Sequence, residues 1–219
     1  IDKEDKTMKI VKPGFEILGN INGADIMRHI ELCGRVYYKS EDRISDNSAE
    51  KFMAGIIKRG HEAVLEHAVV TVKFTVDRGV SHEIVRHRLA AYCQESTRYC
   101  NYSQGQHGGE ITVIKPHYLN EDTEGWFQWR RACIEAEKRY FRLLDFGCSP
   151  QEARAVLPNS LKTEVVMTAN LREWRHFFRL RTAEAAHPQM REVTIPLLRR
   201  MKELIPVVFD DIGLEVDQR

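Results

Sequence analysis

The sequence predicts an α+β fold, helix-rich, as a single domain over residues 8–219 around a small mixed or antiparallel sheet. Three observations carry this. Several long segments repeat apolar residues at helical spacing, a few short stretches are β-branched and alternating, and no Pro/Gly/Ser-rich stretch separates them. Ile1–Thr7 (IDKEDKT) is charged and precedes Met8-Lys9-Ile10, which resembles a natural start, so residues 1–7 are expected to be a cloning remnant or a loose leader.

The first helix is expected from Ala24 to about Tyr38, where Ile26, Ile30, Cys33 and Tyr37 recur at helical spacing and Asp25 sits in the first turn. A second is expected over Ser48–Arg59, with Ser48 as N-cap and Gly60 just past its end. Ala68–Val76 (AVVTVKFTV) reads as a strand, Asp77-Arg78-Gly79 as a turn, and Ser81 as the cap of a short helix through His87. Ala91–Ser103 has no period. Glu110–Lys115 reads as a strand ended by Pro116. Glu121–Phe146 is the longest helix and is stopped by Gly147. Pro150 opens another helix that Leu157-Pro158 closes. Lys162–Thr168 fits strand or helix. Leu171–Arg181 is helical, and Pro188–Leu204 is helical with a kink or break at Pro196.

Composition narrows the function classes. The 219 residues include 33 Lys+Arg and 32 Asp+Glu, a formal net charge of +1, which argues against bulk nucleic-acid binding. Apolar residues make up 42% and charged residues 30%, the balance of a globular chain rather than a disordered one. No apolar run approaches the ~18 residues of a membrane span. Five cysteines without a C-x-x-C suggest thiols in a reducing cytoplasm.

No metal site is expected. His82 and His87 stand five apart, off one helical face, and His61 and His67 stand six apart. Hydrogen-bonded histidines around a helix-to-strand turn are the plainer reading. G-x-G-x-x-G, Walker and G-x-S-x-G signatures are absent, and Gly105, Gly108 and Gly109 read as a flexible turn.

Chemistry concentrates in two segments. Arg86-His87-Arg88 is followed within ten residues by Ser96 and Arg98, with Tyr92 and Tyr99 able to stack on a ring. Arginine is the residue that grips phosphate or carboxylate with two parallel hydrogen bonds. In the second segment, Asn170–Arg181, a helical wheel places Trp174, Phe177 and Phe178 on one stripe and Arg172, Arg175 and Arg179 on the polar back. Arg181 falls inside the aromatic stripe, in line with Asn170. A guanidinium there needs a partner, either Glu164 or Glu184 in a salt bridge or a ligand's anion or carbonyl. The residues alone point to an anionic, nucleotide-like ligand.

These residues resemble the flavin-dependent thymidylate synthases. Arg86-His87-Arg88, seven residues, then Ser96-Thr-Arg98-Tyr99 matches that family's R-H-R-x7-S signature. Further blocks are Gly60-His61-Glu62 with Glu66-His67, nineteen residues before Arg86, and Glu152-Ala-Arg154 through Leu157-Pro158. Asn170 follows that proline by twelve residues and Arg181 lies eleven later.

The resemblance implies reductive methylation of dUMP to dTMP. The one-carbon unit comes from methylenetetrahydrofolate, and reduction comes from tightly bound FAD recharged by NADPH. It also implies a cytoplasmic homotetramer with active sites shared between subunits, and neither nucleic acid nor membrane as partner. By the same resemblance Arg86, His87 and Arg88 meet the flavin, Arg86 also lying near the nucleotide. Gln94, Glu95, Ser96, Thr97 and Arg98 form the loop around dUMP, Gln94 also reaching FAD, with Ser96 on the phosphate, and Arg154 adds a second cation. Asn170, Arg172 and His176 hold FAD, and His61 lies where the isoalloxazine or folate packs. Glu83 stands where a glutamine touches dUMP. Arg181 is the expected catalytic residue, set against the uracil to favour its N3-deprotonated form.

The chain departs from the family pattern at Ala63, Glu83, Ala91, Cys93, Gln94 and Ala185. Two other readings share some of these residues: a flavin-dependent methylase of UMP or another pyrimidine nucleotide, and a non-catalytic RNA-binding protein.

Overall fold

A computed structural model of the chain describes residues 8–104 and 108–213. The expectations for residues 1–7 and for Gly105 lie outside the described residues. The chain divides into two compact units, each assembled from separated stretches of sequence.

The elements are, in order, β1 (Lys9–Val11), β2 (Gly14–Leu18), α1 (Gly23–Tyr38), α2 (Ser48–Lys58), a 3-10 helix at Glu62–His67, β3 (Val69–Asp77), α3 (Arg78–Ile84), β4 (Ala90–Gln94), β5 (Thr112–Ile114), α4 (Glu124–Asp145), α5 (Pro150–Ala153), a 3-10 turn at Arg154–Val156, β6 (Lys162–Asn170), α6 (Leu171–Arg181) and α7 (Pro188–Leu204). A four-stranded sheet has the order β2-β3-β6-β4, and β1 pairs separately with β5. The α+β, helix-rich reading holds.

Among the described residues, one unit comprises 8–14, 74–86, 93–104 and 108–165. Its core gathers Met8, Tyr102, Ile111, Val113, Cys133, Tyr140 and Leu161. β1 and β5 run parallel, with Lys9 opposite Thr112 and Val11 opposite Ile114. Buried Glu137 of α4 fastens this pair: its carboxylate accepts the Met8 N–H at 3.2 Å and the Ile111 N–H at 2.8 Å. Burial raises the Glu137 pKa despite those two donors.

The other unit comprises, among the described residues, 15–73, 87–92 and 166–213. Its core centres on the α6 stripe, where Trp174 stacks on Phe178 and Phe178 meets Phe209 edge-on. Trp174 Nε1 donates to the Val70 carbonyl at 3.0 Å, tying α6 to β3. Gly34 lets α1 approach α2, because a Cβ there would stand 2.4 Å from the Phe52 ring. Gly60, just after α2, has φ +70°, the left-handed turn that lets the chain leave the helix.

Several local expectations shift. Asn47, not Ser48, is the N-cap of α2, and Ser48 Oγ instead donates to Glu31 at 2.7 Å. α3 starts three residues before Ser81, because Asp77 Oδ1 accepts the Val80 N–H at 2.7 Å, and it stops at Ile84. His87 is therefore off the helix. Part of the aperiodic stretch is β4. Lys162–Asn170 is a strand. α4 begins at Glu124 on a Thr123 cap, while Glu121 pairs with Lys115 instead. α7 runs through Pro196 without a break. β1 and β2 were not anticipated.

Candidate active site

The two arginine-bearing segments lead to two clusters, one in each unit. In the unit built on α6, His87 and Arg181 meet. Asn170 caps α6, its Oδ1 accepting the Glu173 N–H at 2.8 Å. Buried Glu173 in that first turn sits 3.0 Å from His87 Nδ1, and His87 Nε2 lies 3.0 Å from Arg181 Nε. His87, from outside α6, thus gives Arg181 a partner that the helical wheel did not show.

The backbone of His87 is held as well. Tyr92 Oη donates to its carbonyl at 2.6 Å. Burial, then the Glu173 carboxylate, pushes the Tyr92 phenol up to about 12, so it stays protonated and donating. Burial likewise holds the His87 pKa below its ordinary value; the Glu173 hydrogen bond opposes this, and Arg181 adds to it.

His87, Glu173 and exposed His176 offer ligand atoms within 4.8 Å of one another, close enough for a metal. Both ring nitrogens of His87 are already engaged, one of them with a guanidinium. The arrangement is that of a hydrogen-bonded relay. Buried His87 therefore turns its polar atoms inward, whereas its neighbour Arg88 is exposed.

The back face of α6 differs from the wheel. Arg175 is fully buried, bonded through Nη2 to Glu62 at 2.9 Å and through Nη1 to Asp211 at 2.7 Å. Arg172 is exposed and reaches Glu66 at 2.6 Å.

The same unit contains a cavity of about 690 Å³ lined by Arg35, Arg43, Arg59 and His61 together with Tyr37, Tyr38 and Phe52. Arg35 is already paired with Glu31 at 2.7 Å and lies over Phe52, so Arg43, Arg59 and His61 supply the polar face toward an occupant. Cations beside aromatic faces fit a planar, anionic group such as a flavin or a folate. Ala63 also lines this cavity and supplies no hydroxyl.

In the other unit, Ser96 to Cys100 form a tight turn just beyond β4. The Ser96 carbonyl accepts the N–H groups of Tyr99 and Cys100, and Ser96 Oγ accepts the Arg98 N–H at 3.3 Å. Arg154 Nη1 donates to Thr97 Oγ1 at 3.2 Å, which brings the second cation to the turn. Arg98 and Arg154 are both exposed. Gln94 is anchored inward on Ser81 at 3.0 Å and Thr163 at 3.3 Å. Glu95 pairs with Lys162 at 3.0 Å and accepts from Tyr102 at 3.4 Å. Gln94 and Glu95 therefore brace the turn, while Ser96, Thr97, Arg98 and Arg154 present donors. Half-buried Glu83 lies in the last turn of α3, with exposed Arg86 just beyond it.

Sequence reasoning missed Glu173, Ser81, Thr163 and Lys162. Glu173 had one local signal, its place three residues after the Asn170 cap, but nothing tied it to a histidine 86 positions away.

Comparison with known proteins gives these motifs a context. The family model described as thymidylate synthase complementing protein matches residues 22–207. A flavin-dependent thymidylate synthase of Pyrococcus furiosus is 37% identical over 175 residues, covering 78% of this chain and 70% of its own. The enzyme of the same name from Corynebacterium glutamicum is 32% identical over 214 residues, covering 90% and 82%. Among solved structures, the UMP/dUMP methylase PolB of Streptomyces cacaoi bound to 5-Br dUMP has a TM-score of 0.73 at 23% identity, covering 93% of this chain and 96% of that one. That last likeness establishes the fold. With the family model spanning the R-H-R turn, the Arg154 block and all of α6, this chain belongs to the thymidylate synthase complementing protein family of flavin-dependent thymidylate synthases.

Proposed function

We propose that this protein methylates dUMP reductively to dTMP, with methylenetetrahydrofolate as one-carbon donor and FAD reduced by NADPH. The observation that carries this reading is the family match over residues 22–207, which includes each block of the R-H-R-x7-S constellation.

In this reading the Ser96 turn takes the nucleotide phosphate. Ser96, Thr97 and Arg98 offer donors there, and Arg154 adds a charge-assisted bond already aimed at the turn. Arg86 and Glu83 flank the nucleotide, Glu83 bonding a sugar hydroxyl or an arginine rather than the anion. Arg181 places its guanidinium against the pyrimidine and stabilises negative charge on the ring. That charge is the reacting carbon's source of nucleophilicity, and a fixed cation costs no reorganisation when it develops.

Arg88, Arg172, His176, the Asn170 amide and His61 would hold FAD, which supplies the reducing equivalents when bound. The cavity beside His61 suits the flavin or folate ring. We read the assembly as a homotetramer with shared sites, supported by exposed Leu89 and Tyr99 flanking the motif. Five free thiols support a reducing cytoplasm as its setting. Among the described residues no helix is long and apolar enough to cross a membrane.

The test is the visible absorption spectrum of the purified protein with FAD, then with dUMP, and with UMP in parallel. The expected result is an oxidised-flavin band that shifts on adding dUMP, with dTMP formed once folate and NADPH are present. A shift and product with UMP alone would reassign the substrate. No flavin binding, joined to salt-sensitive RNA binding, would overturn the reading.

A further inference from the structure

We propose that Glu173 and His87 are positioning residues that together fix the aim of the Arg181 guanidinium. The inference rests on the reading of Arg181 as the cation set against the pyrimidine.

The direction of each hydrogen bond follows from chemistry. Arginine Nε always carries a hydrogen and donates. His87 Nε2, 3.0 Å away, must therefore accept it. A neutral imidazole then carries its proton on Nδ1, which donates to Glu173 Oε1 at 3.0 Å. Glu173 is 6% exposed and His87 is 4% exposed, so water does not compete for these bonds.

The base of the relay is itself clamped. Asn170 caps the Glu173 N–H, Tyr92 holds the His87 carbonyl, and Phe177 meets the imidazole edge-on at 4.8 Å between ring centres. Arg181 is the last member of the relay and is only partly buried.

The relay works only with neutral His87. The titratable and charged groups facing His87 are Glu173, His176 and Arg181 of α6 and Tyr92 of β4. Burial disfavours the imidazolium, Arg181 and His176 add to that, and Glu173 opposes it; the pKa lies below the ordinary histidine value. An imidazolium has no lone pair for Arg181 and repels it. Turnover should therefore fall as pH drops through that lowered pKa.

The test uses the full chain as His87→Ala, His87→Gln and Glu173→Gln. His87→Ala is expected to keep its FAD and lose roughly tenfold to a hundredfold in kcat, the scale of a misplaced group near the chemistry, with KM for dUMP changing far less. His87→Gln offers an amide oxygen to Arg181; it should recover part of that loss and remove the acid limb of the kcat profile. It also carries the kinetic test if the alanine variant does not fold. Glu173→Gln keeps an acceptor but removes the charge that favours imidazolium, so its acid limb should move to lower pH. Unchanged kcat in His87→Ala, or FAD lost in step with turnover, would overturn the proposal.

The 15N resonances of the His87 ring provide a readout independent of activity. The protonated-Nδ1 tautomer is expected at neutral pH. The opposite tautomer sinks the relay whatever the enzyme does. The expected tautomer in a protein that does not methylate dUMP would uphold the relay and remove the functional reading instead.

Discussion

Arg175 Nη2 lies 2.9 Å from Glu62 Oε1, and the guanidinium behind that contact is fully buried. Asp211 closes the other side at 2.7 Å, and Arg179 joins at the solvent edge. One buried cation thus ties α6 to the 3-10 helix that follows His61 and to the residues beyond α7.

Arg175→Ala should destabilise the fold by about 3–5 kcal/mol, the usual result of breaking a buried pair from one side, read as a lower denaturant midpoint. Unfolding measured against pH should show the same network. Burial works to raise the Glu62 pKa, yet the hydrogen bonds from Arg175 and Arg179 hold it below the ordinary carboxylate value. Arg175 does the same for Asp211. A carboxylate depressed in the folded state contributes stability above its unfolded pKa and loses it as pH falls through the folded pKa. Stability should therefore decline below about pH 4–5, and the decline should be smaller in Arg175→Ala.

Arg181→Ala should fold, retain FAD and lose nearly all turnover. Its backbone sits in the last turn of α6, and the buried aromatic stripe does not depend on its side chain. Flavin spectra and single-turnover conversion of dUMP check both halves; wild-type rates would end the activation role.

Arg154→Ala should raise the KM for dUMP about tenfold to a hundredfold, the worth of a hydrogen bond to a charged group, while FAD binding stays close to wild type. The basis is the contact of Arg154 with Thr97 in the Ser96 turn. Equal loss of both ligands in titrations would show that the two cation clusters do not divide the ligands as proposed.

Much of this was legible in the sequence. Strong periodicity gave α1, α4 and α6, and the alternation of Val70, Val72, Phe74 and Val76 gave β3 with every inward residue buried. The Ser96 turn and Arg154 as its second cation came from the family resemblance, and Arg154 does reach Thr97 in that turn. What was not legible has a common cause. β1 is three residues long and β4 mixes small and polar side chains, so neither carries enough pattern to stand out; pairing partners define them. Arg175 looked solvent-facing on a wheel because its partners, Glu62 and Asp211, are 113 and 36 positions away. Arg181 needs a partner by its place on the wheel, but the imidazole comes from His87, 94 positions away and beyond the end of α3 at Ile84.

The Glu137 fastening bears on the order of folding. It joins backbone N–H groups from Met8 and Ile111, residues more than a hundred positions apart, and the parallel pair it secures has just three rungs. Closing so long a loop costs entropy before any rung repays it. The pair should therefore zip up late, after α4 has formed and carried its carboxylate into place. Hydrogen exchange should find the amides of Met8 and Ile111 opening together, and earlier than those of α6, so that β1 acts as the latch of its unit rather than its seed.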